Sequence, residues 1–156
     1  MLLYLMHSAL DEQIAVKRYK LTSAIQTPGS GKGNPKKTPE AAVIAVKSVL
    51  ETVLSCLDES KAEEIVTIDI QDKSALCDYM VIASGRSQRH VGAVADQLIR
   101  SLKKLGNGAP KVEGLEGADW VLIDAGDIVV HLFRPEVREF YALEKMWQMP
   151  ASEDLN

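Results

Sequence analysis

Histidines are the first residues to test for catalysis or metal binding, because the imidazole ring titrates near neutral pH and binds zinc. The chain contains His7, His90 and His131, which lie far apart in the sequence. None of them has a second ligand residue at the spacing that a helix or a strand would bring to one metal ion. We therefore predict no metal site and no cofactor.

Carboxylates are the next candidates, since two acidic residues two positions apart on a strand can hold a magnesium ion in a nucleotidyltransferase. The sequence has no Asp-x-Asp pair, and Asp119 and Asp124 are five positions apart, which places them on opposite faces of a strand. Asp119 is suited to orient His131 as a general base, but no Ser, Cys or Thr nucleophile is predicted nearby. We interpret these two residues as a cross-strand polar pair and expect no enzyme activity.

The turn from Ser84 to His90 suggests a different function. It lies between a predicted strand and a predicted helix, where backbone N–H groups can bind an anion. Arg86, Arg89 and His90 add positive charge. A capped helix start with solvated charges accounts for the same residues. The alternative function is therefore a nucleotide-binding transferase that uses this turn.

Residues 118–133 contain two apolar runs around one glycine, which is typical of a β-hairpin. A two-residue loop beginning at Ala125 would set two aspartates against each other and would require a positive φ at Ala125. A three-residue loop over 124–126 avoids both problems, so we predict that register. It pairs Trp120 with Val130, Leu122 with Ile128, and Asp119 with His131.

The elements around the hairpin alternate between helix and strand. A strand, a helix and a return to strand form a crossover unit, so we predict an α/β fold. Apolar runs at 65–70 and 79–83 predict strands that are covered on both faces. The other predicted elements are a helix from the cap residue Thr38 to about Leu57, a helix from the cap residue Ser87 to Gly106, a short edge strand at 111–113 and a final helix from 135.

Composition separates the chain into parts. Residues 1–38 are rich in Gly, Pro and Lys and carry a net charge of +4, whereas residues 39–156 carry −8. We predict a flexible basic extension and linker over 1–38, a folded domain over 39–150 and a frayed tail over 151–156.

Ordinary proportions of apolar (46%) and charged (26%) residues indicate a globular protein. The short apolar start lacks a basic leader, and no run approaches the roughly 20 apolar residues of a membrane helix. Cys56 and Cys77 lie in apolar runs, which favours two buried free thiols in a reducing compartment. We predict a cytoplasmic protein without a signal peptide or a membrane anchor.

Five acidic residues and no basic one lie between Glu113 and Asp127. Such a segment is unsuited to nucleic acid, whose phosphates are bound by Lys and Arg, and it suits a basic protein partner. Acidic surfaces also keep proteins soluble, and charge alone does not choose between these interpretations. Trp120 is open to two interpretations as well, as core filler or as the apolar anchor of an interface.

Five motifs, taken in order, resemble the ribosomal silencing factor (Iojap-like) family. The resemblance extends from about Pro39 to Trp147 and leaves residues 1–38 outside. The motifs are Asp78-Tyr79-Met80-Val81-Ile82-Ala83-Ser84-Gly85, Ser87-x-Arg89-His90-Val91, Gly117-Ala118-Asp119-Trp120-Val121, Gly126-Asp127-Ile128-Val129-Val130-His131 and Glu139-Phe140-Tyr141-x-Leu143-Glu144-x-Met146-Trp147.

The resemblance implies a mixed β-sheet flanked by helices, with a topology similar to nucleotidyltransferases but without their catalytic carboxylates. It implies a translation repressor that binds the large ribosomal subunit through its L-fourteen protein and sterically blocks joining of the small subunit. It also implies a homodimer off the ribosome. The family's signature positions correspond here to Asp119, Trp120 and His131. From charge and predicted face we add three partner-binding residues, Glu113, Leu122 and Val130.

Overall fold

The computed structural model describes residues 39–148, which form a five-stranded sheet with helices on both faces. The helices are α1 (Pro39–Glu59), α2 (Gln88–Lys104), α3 (Pro135–Tyr141) and α4 (Leu143–Gln148). The strands are β1 (Glu63–Asp69), β2 (Tyr79–Ser84), β3 (Lys111–Glu113), β4 (Trp120–Asp124) and β5 (Ile128–Phe133). The predictions of a linker over 1–38 and a frayed tail over 151–156 lie outside the described residues.

The sheet has the strand order β1-β2-β5-β4-β3. After β2 the chain crosses over through α2, and it returns to the centre of the sheet through β3 and β4. Strands β2 and β5 are therefore parallel. The neighbouring pairs β1–β2, β4–β5 and β3–β4 are antiparallel. The predicted α/β class with a mixed sheet is confirmed.

One face of the sheet is covered by α1 and α2. Their apolar stripes bury Val53 and Leu57 of α1 and Val91 and Leu98 of α2 against the central strands. The opposite face is covered by α3 and α4, which pack a second apolar cluster against β1, β2 and β5. That cluster contains Ile68, Ile70, Cys77, Met80, Ile82 and Phe133, with Val137, Tyr141, Leu143 and Trp147 packed on it.

Helix α2 begins and ends where the sequence predicts. The Ser87 hydroxyl accepts a hydrogen bond from the backbone N–H of His90 at 3.1 Å, which caps the first turn. Gly106 follows the last turn with φ +75°, the left-handed conformation that glycine adopts at low cost. Before the helix, a Cβ on Gly85 would lie 2.7 Å from Cγ2 of Val91, so this turn requires glycine for close packing.

Strand β1 differs from its prediction. Strand β2 is buried from Met80 to Ser84, as expected for a central strand, but β1 is exposed at Glu63, Glu64, Thr67 and Asp69. The reason is its place at the edge of the sheet, where the short helices α3 and α4 cover only one of its faces. An apolar run alone does not distinguish an edge strand from a central one.

The predicted register of the hairpin is wrong. The loop is Gly126 and Asp127, with Gly126 at φ +89° and the N–H of Ala125 donating to the carbonyl oxygen of Ile128 at 2.9 Å. The like-charge problem is solved by moving the loop toward the C-terminus, so that Asp124 lies opposite Val129.

A contact from outside the hairpin holds this register. The carbonyl oxygen of Asp127 accepts hydrogen bonds from the N–H groups of Asp78 and Tyr79, at 2.7 and 3.1 Å. These two residues lie at the start of the neighbouring parallel strand, so their position could not be inferred from the hairpin sequence. The observed register differs from the predicted one by an odd number of residues, and such a slip moves side chains to the other face of the sheet.

The observed register changes which residues share a face. Trp120 lies opposite Phe133, and Leu122 lies opposite His131, instead of the predicted partners Val130 and Ile128. The face toward α3 therefore carries Trp120, Leu122, His131 and Phe133, and the face toward α1 and α2 carries Val121, Ile123, Val130 and Leu132.

The two cysteines, Cys56 and Cys77, are free and buried, as predicted. Over residues 39–148, no helix has the combination of length and apolar character needed to cross a membrane.

Candidate partner-binding surface

Trp120, at the start of β4, is half-buried and is held from several sides. Its indole Nε1–H donates a hydrogen bond to Nδ1 of His131 at 3.0 Å. Its ring centroid lies 4.8 Å from that of Phe133 and 4.7 Å from that of Tyr141. One part of the side chain therefore fills the apolar cluster, and another part remains accessible at the surface.

His131 lies beneath Trp120 and is only 3% exposed. Burial in an apolar environment lowers its pKa from 6.5 to about 3, so the ring is neutral at physiological pH. Because Nδ1 accepts the indole hydrogen bond, the ring proton of the neutral form lies on Nε2. His131 thus acts as a fixed hydrogen-bond acceptor that orients the indole ring of Trp120.

The predicted pair of Asp119 and His131 is wrong. In the observed register Asp119 lies beside Arg134, whose backbone N–H donates to the Asp119 carbonyl oxygen at 3.0 Å. Oδ1 of Asp119 is 2.6 Å from Nε of Arg134 and accepts a hydrogen bond from Nε2 of Gln88 at 3.0 Å. Asp119 is therefore a surface carboxylate next to Trp120 and is paired with a cation.

The remaining predicted residues divide between the two faces. Glu113 lies opposite Leu122, and Leu122 lies opposite His131, so these three form a row on the face that carries Trp120. Val130 lies on the other face and is fully buried, with 0% exposure. The structure therefore brings Glu113 and Leu122 to the surface around Trp120, and it places Val130 in the core, where it cannot contact a partner.

Aspartates accumulate at one end of the sheet. The pKa of Asp78 is raised by partial desolvation and by the negative charges of Asp127 and Asp69. Burial, with the nearby charges of Asp124, Asp78 and Asp127, raises the pKa of the Cys77 thiol to about 11. A thiol with this pKa stays protonated and is a poor nucleophile. No group of three or more His, Cys, Asp or Glu residues within 39–148 is arranged to hold a metal ion.

Several polar groups of the turn from Ser84 to His90 already have partners within the protein. The backbone N–H of Arg86 donates to Nδ1 of His90 at 3.0 Å, and Nε of Arg86 pairs with Glu63 at 2.8 Å. Nε2 of His90 is 2.9 Å from the carbonyl oxygen of Ser60. These bonds are typical of a capped helix start, and a phosphate bound to the same groups would have to displace them.

Two arginines near the site were not predicted from the sequence. Arg134 pairs with Asp119. The side chain of Arg138, a residue of α3, is buried and has Glu144 and Ser84 as hydrogen-bond partners. A signal was present, since residues 134, 137, 138 and 141 lie at the i, i+3, i+4, i+7 spacing of one helix face. A charged residue on the face that also carries Val137 and Tyr141 indicates a buried, paired side chain.

Comparison with known proteins identifies the family. Residues 43–156, more than half of the chain, match the family described as "Ribosomal silencing factor during starvation". The chain belongs to the ribosomal silencing factor family. The resemblance inferred from five ordered motifs is thereby confirmed.

Two relatives with similar sequences carry the name of this family. The ribosomal silencing factor RsfS of Zymomonas mobilis is 56% identical over 99 residues, which cover 64% of this chain and 74% of that protein. The RsfS of Haemophilus influenzae is 40% identical over 100 residues, covering 64% of this chain and 98% of that one.

The fold agrees with that of a solved structure. A crystal structure of a Chromobacterium violaceum protein superimposes with a TM-score of 0.64 at 33% identity, covering 70% of this chain and 92% of that chain. Membership in the ribosomal silencing factor family implies a regulatory protein that acts on translation at the ribosome.

Proposed function

We propose that this ribosomal silencing factor binds the large ribosomal subunit through its L-fourteen protein and blocks joining of the small subunit. The observation that carries the proposal is the position of Trp120. It is a half-buried aromatic residue, fixed by a neutral buried histidine and directly preceded by the carboxylate of Asp119. The protein represses translation by occupying a surface, so it needs no catalytic group.

The rigidity of Trp120 supports its role as the anchor of the interface. A large side chain that is already held in one orientation loses little conformational freedom on binding. Tryptophan is also among the residues that most often dominate binding energy, typically by about 2 kcal/mol or more on truncation. Leu122, in the neighbouring position on the same face, extends the apolar contact.

Charge supports a basic partner. Glu113 lies opposite Leu122, Asp119 directly precedes Trp120, and residues 39–156 carry a net charge of −8. Carboxylates at the rim of an interface steer encounter with a positively charged surface and reject partners of the wrong sign. A basic ribosomal protein fits this description, whereas the phosphates of ribosomal RNA are repelled.

A folded domain of this size, seated on the joining surface of the large subunit, excludes the small subunit by volume alone. We place this activity in the cytoplasm and propose a homodimer when the protein is off the ribosome. Contact with the ribosome is through protein and involves little or no direct binding of nucleic acid.

The test is co-sedimentation with separated ribosomal subunits. We expect the wild-type protein to migrate with large subunits and not with small ones, and we expect Trp120→Ala to weaken this association while circular dichroism shows an intact fold. The matched control is Ile44→Ala, which removes apolar surface from a residue that is 63% exposed on α1, the helix that packs on the opposite face of the sheet. Equal co-sedimentation of Trp120→Ala and the wild type would overturn the assignment of Trp120.

Two other functions make different predictions. A transferase that uses the turn from Ser84 to His90 requires saturable binding of a nucleotide with magnesium in calorimetry. A plain dimerisation module forms dimers but associates with neither ribosomal subunit. We expect no heat of nucleotide binding, because the backbone N–H and the Nε of Arg86 and the imidazole of His90 already have partners within the protein.

A further inference from the structure

Arg138 is a charged side chain that lies inside the protein. It is only 7% exposed and points from α3 toward the sheet. Its Nη1 donates hydrogen bonds to Oγ of Ser84 and to the carbonyl oxygen of Glu64, both at 2.8 Å, and its Nε donates to Oε1 of Glu144 at 2.7 Å. One guanidinium therefore joins α3 to β2, β1 and α4.

The backbone of β1 is shaped to meet this guanidinium. Glu64 has φ +49°, an unfavourable conformation for a residue with a side chain, and the pairing of β1 with β2 shifts register between Glu63 and Val66. At this bulge the carbonyl oxygen of Glu64 accepts the hydrogen bond from Nη1. The irregularity of the edge strand thus has a specific partner, and that partner is Arg138.

The two helices that Arg138 joins, α3 and α4, need tertiary contacts to stay in place. Helix α3 has 7 residues and α4 has 6, which is too short for either to be stable without tertiary contacts. A left-handed residue, Ala142 with φ +46°, separates them. Their placement on the sheet therefore depends on the contacts that they make, which include the bonds of Arg138 and a hydrogen bond from Nζ of Lys73 to the carbonyl oxygen of Trp147 at 2.6 Å.

The position of α3 decides the shape of the partner-binding surface. Tyr141, three residues after Arg138, lies against Trp120 with 4.7 Å between ring centroids. Phe140 stands edge-on to Tyr141 at 5.2 Å and is 60% exposed, so the aromatic surface continues from Trp120 onto α3. A shift of α3 would separate Tyr141 from Trp120 and break this surface.

We infer that Arg138 is a positioning residue, which fastens α3 and α4 to the sheet and thereby assembles the aromatic surface on which docking depends. The inference rests on the proposed function, in that the surface it assembles is the one proposed to bind the ribosome. The planar guanidinium is required as well as the charge, because its acceptors lie in three different elements and one ammonium group cannot reach all of them.

The first experiment needs no ribosome and measures amide hydrogen exchange by NMR in Arg138→Met. We expect lost protection in α3 and α4 with protection retained in β2 and β5. We also expect a shift of the Trp120 indole signal, which Trp147→Phe distinguishes from the second indole. The control is Arg100→Met, which removes an exposed arginine from α2. Wild-type protection of α3 and α4 in Arg138→Met would overturn the inference.

The second experiment measures binding to isolated large subunits. We expect Arg138→Met to weaken binding by roughly tenfold or more, Arg138→Lys to weaken it to a similar extent, and Arg100→Met to leave it unchanged. If Arg138 acts through Tyr141, the double variant Arg138→Met/Tyr141→Ala should lose about as much affinity as the weaker-binding of the two single variants, and no more. Additive losses would show that Arg138 does not act through the aromatic surface.

The two experiments separate this inference from the proposed function. If the wild-type protein does not bind large subunits, the proposed function fails, and hydrogen exchange alone decides whether Arg138 positions the helices. If the wild type binds and Arg138→Met binds equally well with unchanged exchange, only the positioning role fails. If Arg138→Met does not fold, Ser84→Ala, which removes one acceptor and leaves the arginine, is measured in both experiments and decides the question by the same criteria.

Discussion

Trp120 and His131 are joined across two neighbouring strands by a hydrogen bond of 3.0 Å from the indole Nε1–H to the imidazole Nδ1. The bond exists because the register of the hairpin places both side chains on the face toward α3. It requires a neutral imidazole with a free lone pair on Nδ1, and burial supplies that by lowering the pKa of His131 to about 3. The orientation of the surface tryptophan thus depends on the protonation state of a residue in the core.

Stability should fall as the pH is lowered from 6 to 5. The pKa of His131 is about 3 in the folded protein and 6.5 when the side chain is in water, so in this interval only the unfolded state takes up a proton. The free energy of unfolding should therefore decrease by about 1.2 kcal/mol over this interval from this residue alone. Urea denaturation at several pH values, followed by tryptophan fluorescence, measures the slope.

The matched variant is His131→Gln, whose amide oxygen can still accept the indole hydrogen bond. Its unfolding free energy should depend less steeply on pH, and an unchanged slope would contradict the assignment to His131. The raised pKa of Asp78 acts with the opposite sign, because the folded state then binds the extra proton, and the comparison with His131→Gln removes this contribution since both proteins contain Asp78.

Gly114→Ala should disturb Trp120 through the backbone. A Cβ at this position would overlap the carbonyl oxygen of Trp120, and Gly114 also has φ +81°. Gly106→Ala is the control, because φ is +75° there but nothing lies within 4 Å of the added carbon. We expect the control to lose about 1 kcal/mol of stability and Gly114→Ala to lose at least about 2 kcal/mol. Equal losses in thermal or urea unfolding would show that the overlap relaxes at no cost.

Asp119→Asn should weaken binding to large subunits and leave the stability of the fold almost unchanged. The pair with Arg134 is partly exposed, so its loss should change the free energy of unfolding by no more than about 1 kcal/mol. If Asp119 steers the protein to a basic partner, binding to large subunits should weaken and depend less on salt. Asp96→Asn, which removes the same charge from an exposed position on α2, is the control and should leave binding unchanged.

Ala142→Gly should stabilise the protein. Ala142 has φ +46° at the end of α3, and glycine adopts this conformation without the steric cost of a Cβ. We expect a gain of roughly 0.5–1 kcal/mol, whereas Ala93→Gly, at an exposed position inside α2, should lose about 1 kcal/mol. Melting temperatures that shift in the same direction for both variants would contradict this account of the α3–α4 junction.

Local chemistry was predictable from the sequence. Ser87 and Gly106 bound helix α2 because a hydroxyl cap and a left-handed glycine act on the backbone within one turn of themselves. The helical spacing of apolar residues predicted helices α1 and α2, and the ordered motifs predicted the family. The existence of the hairpin was equally clear, since its strands and its glycine are contiguous in the chain.

The tertiary structure alone decided how these elements meet. The hairpin loop lies at Gly126 and Asp127, where Asp78 and Tyr79 bind its backbone, and this register gave Trp120 its partner His131 and sent Val130 to the core. The partners of Arg138 come from three other elements, one of them the bulge at Glu64. Hydrogen bonds between residues distant in sequence leave no local pattern, because each donor and acceptor is ordinary until the fold brings the two together.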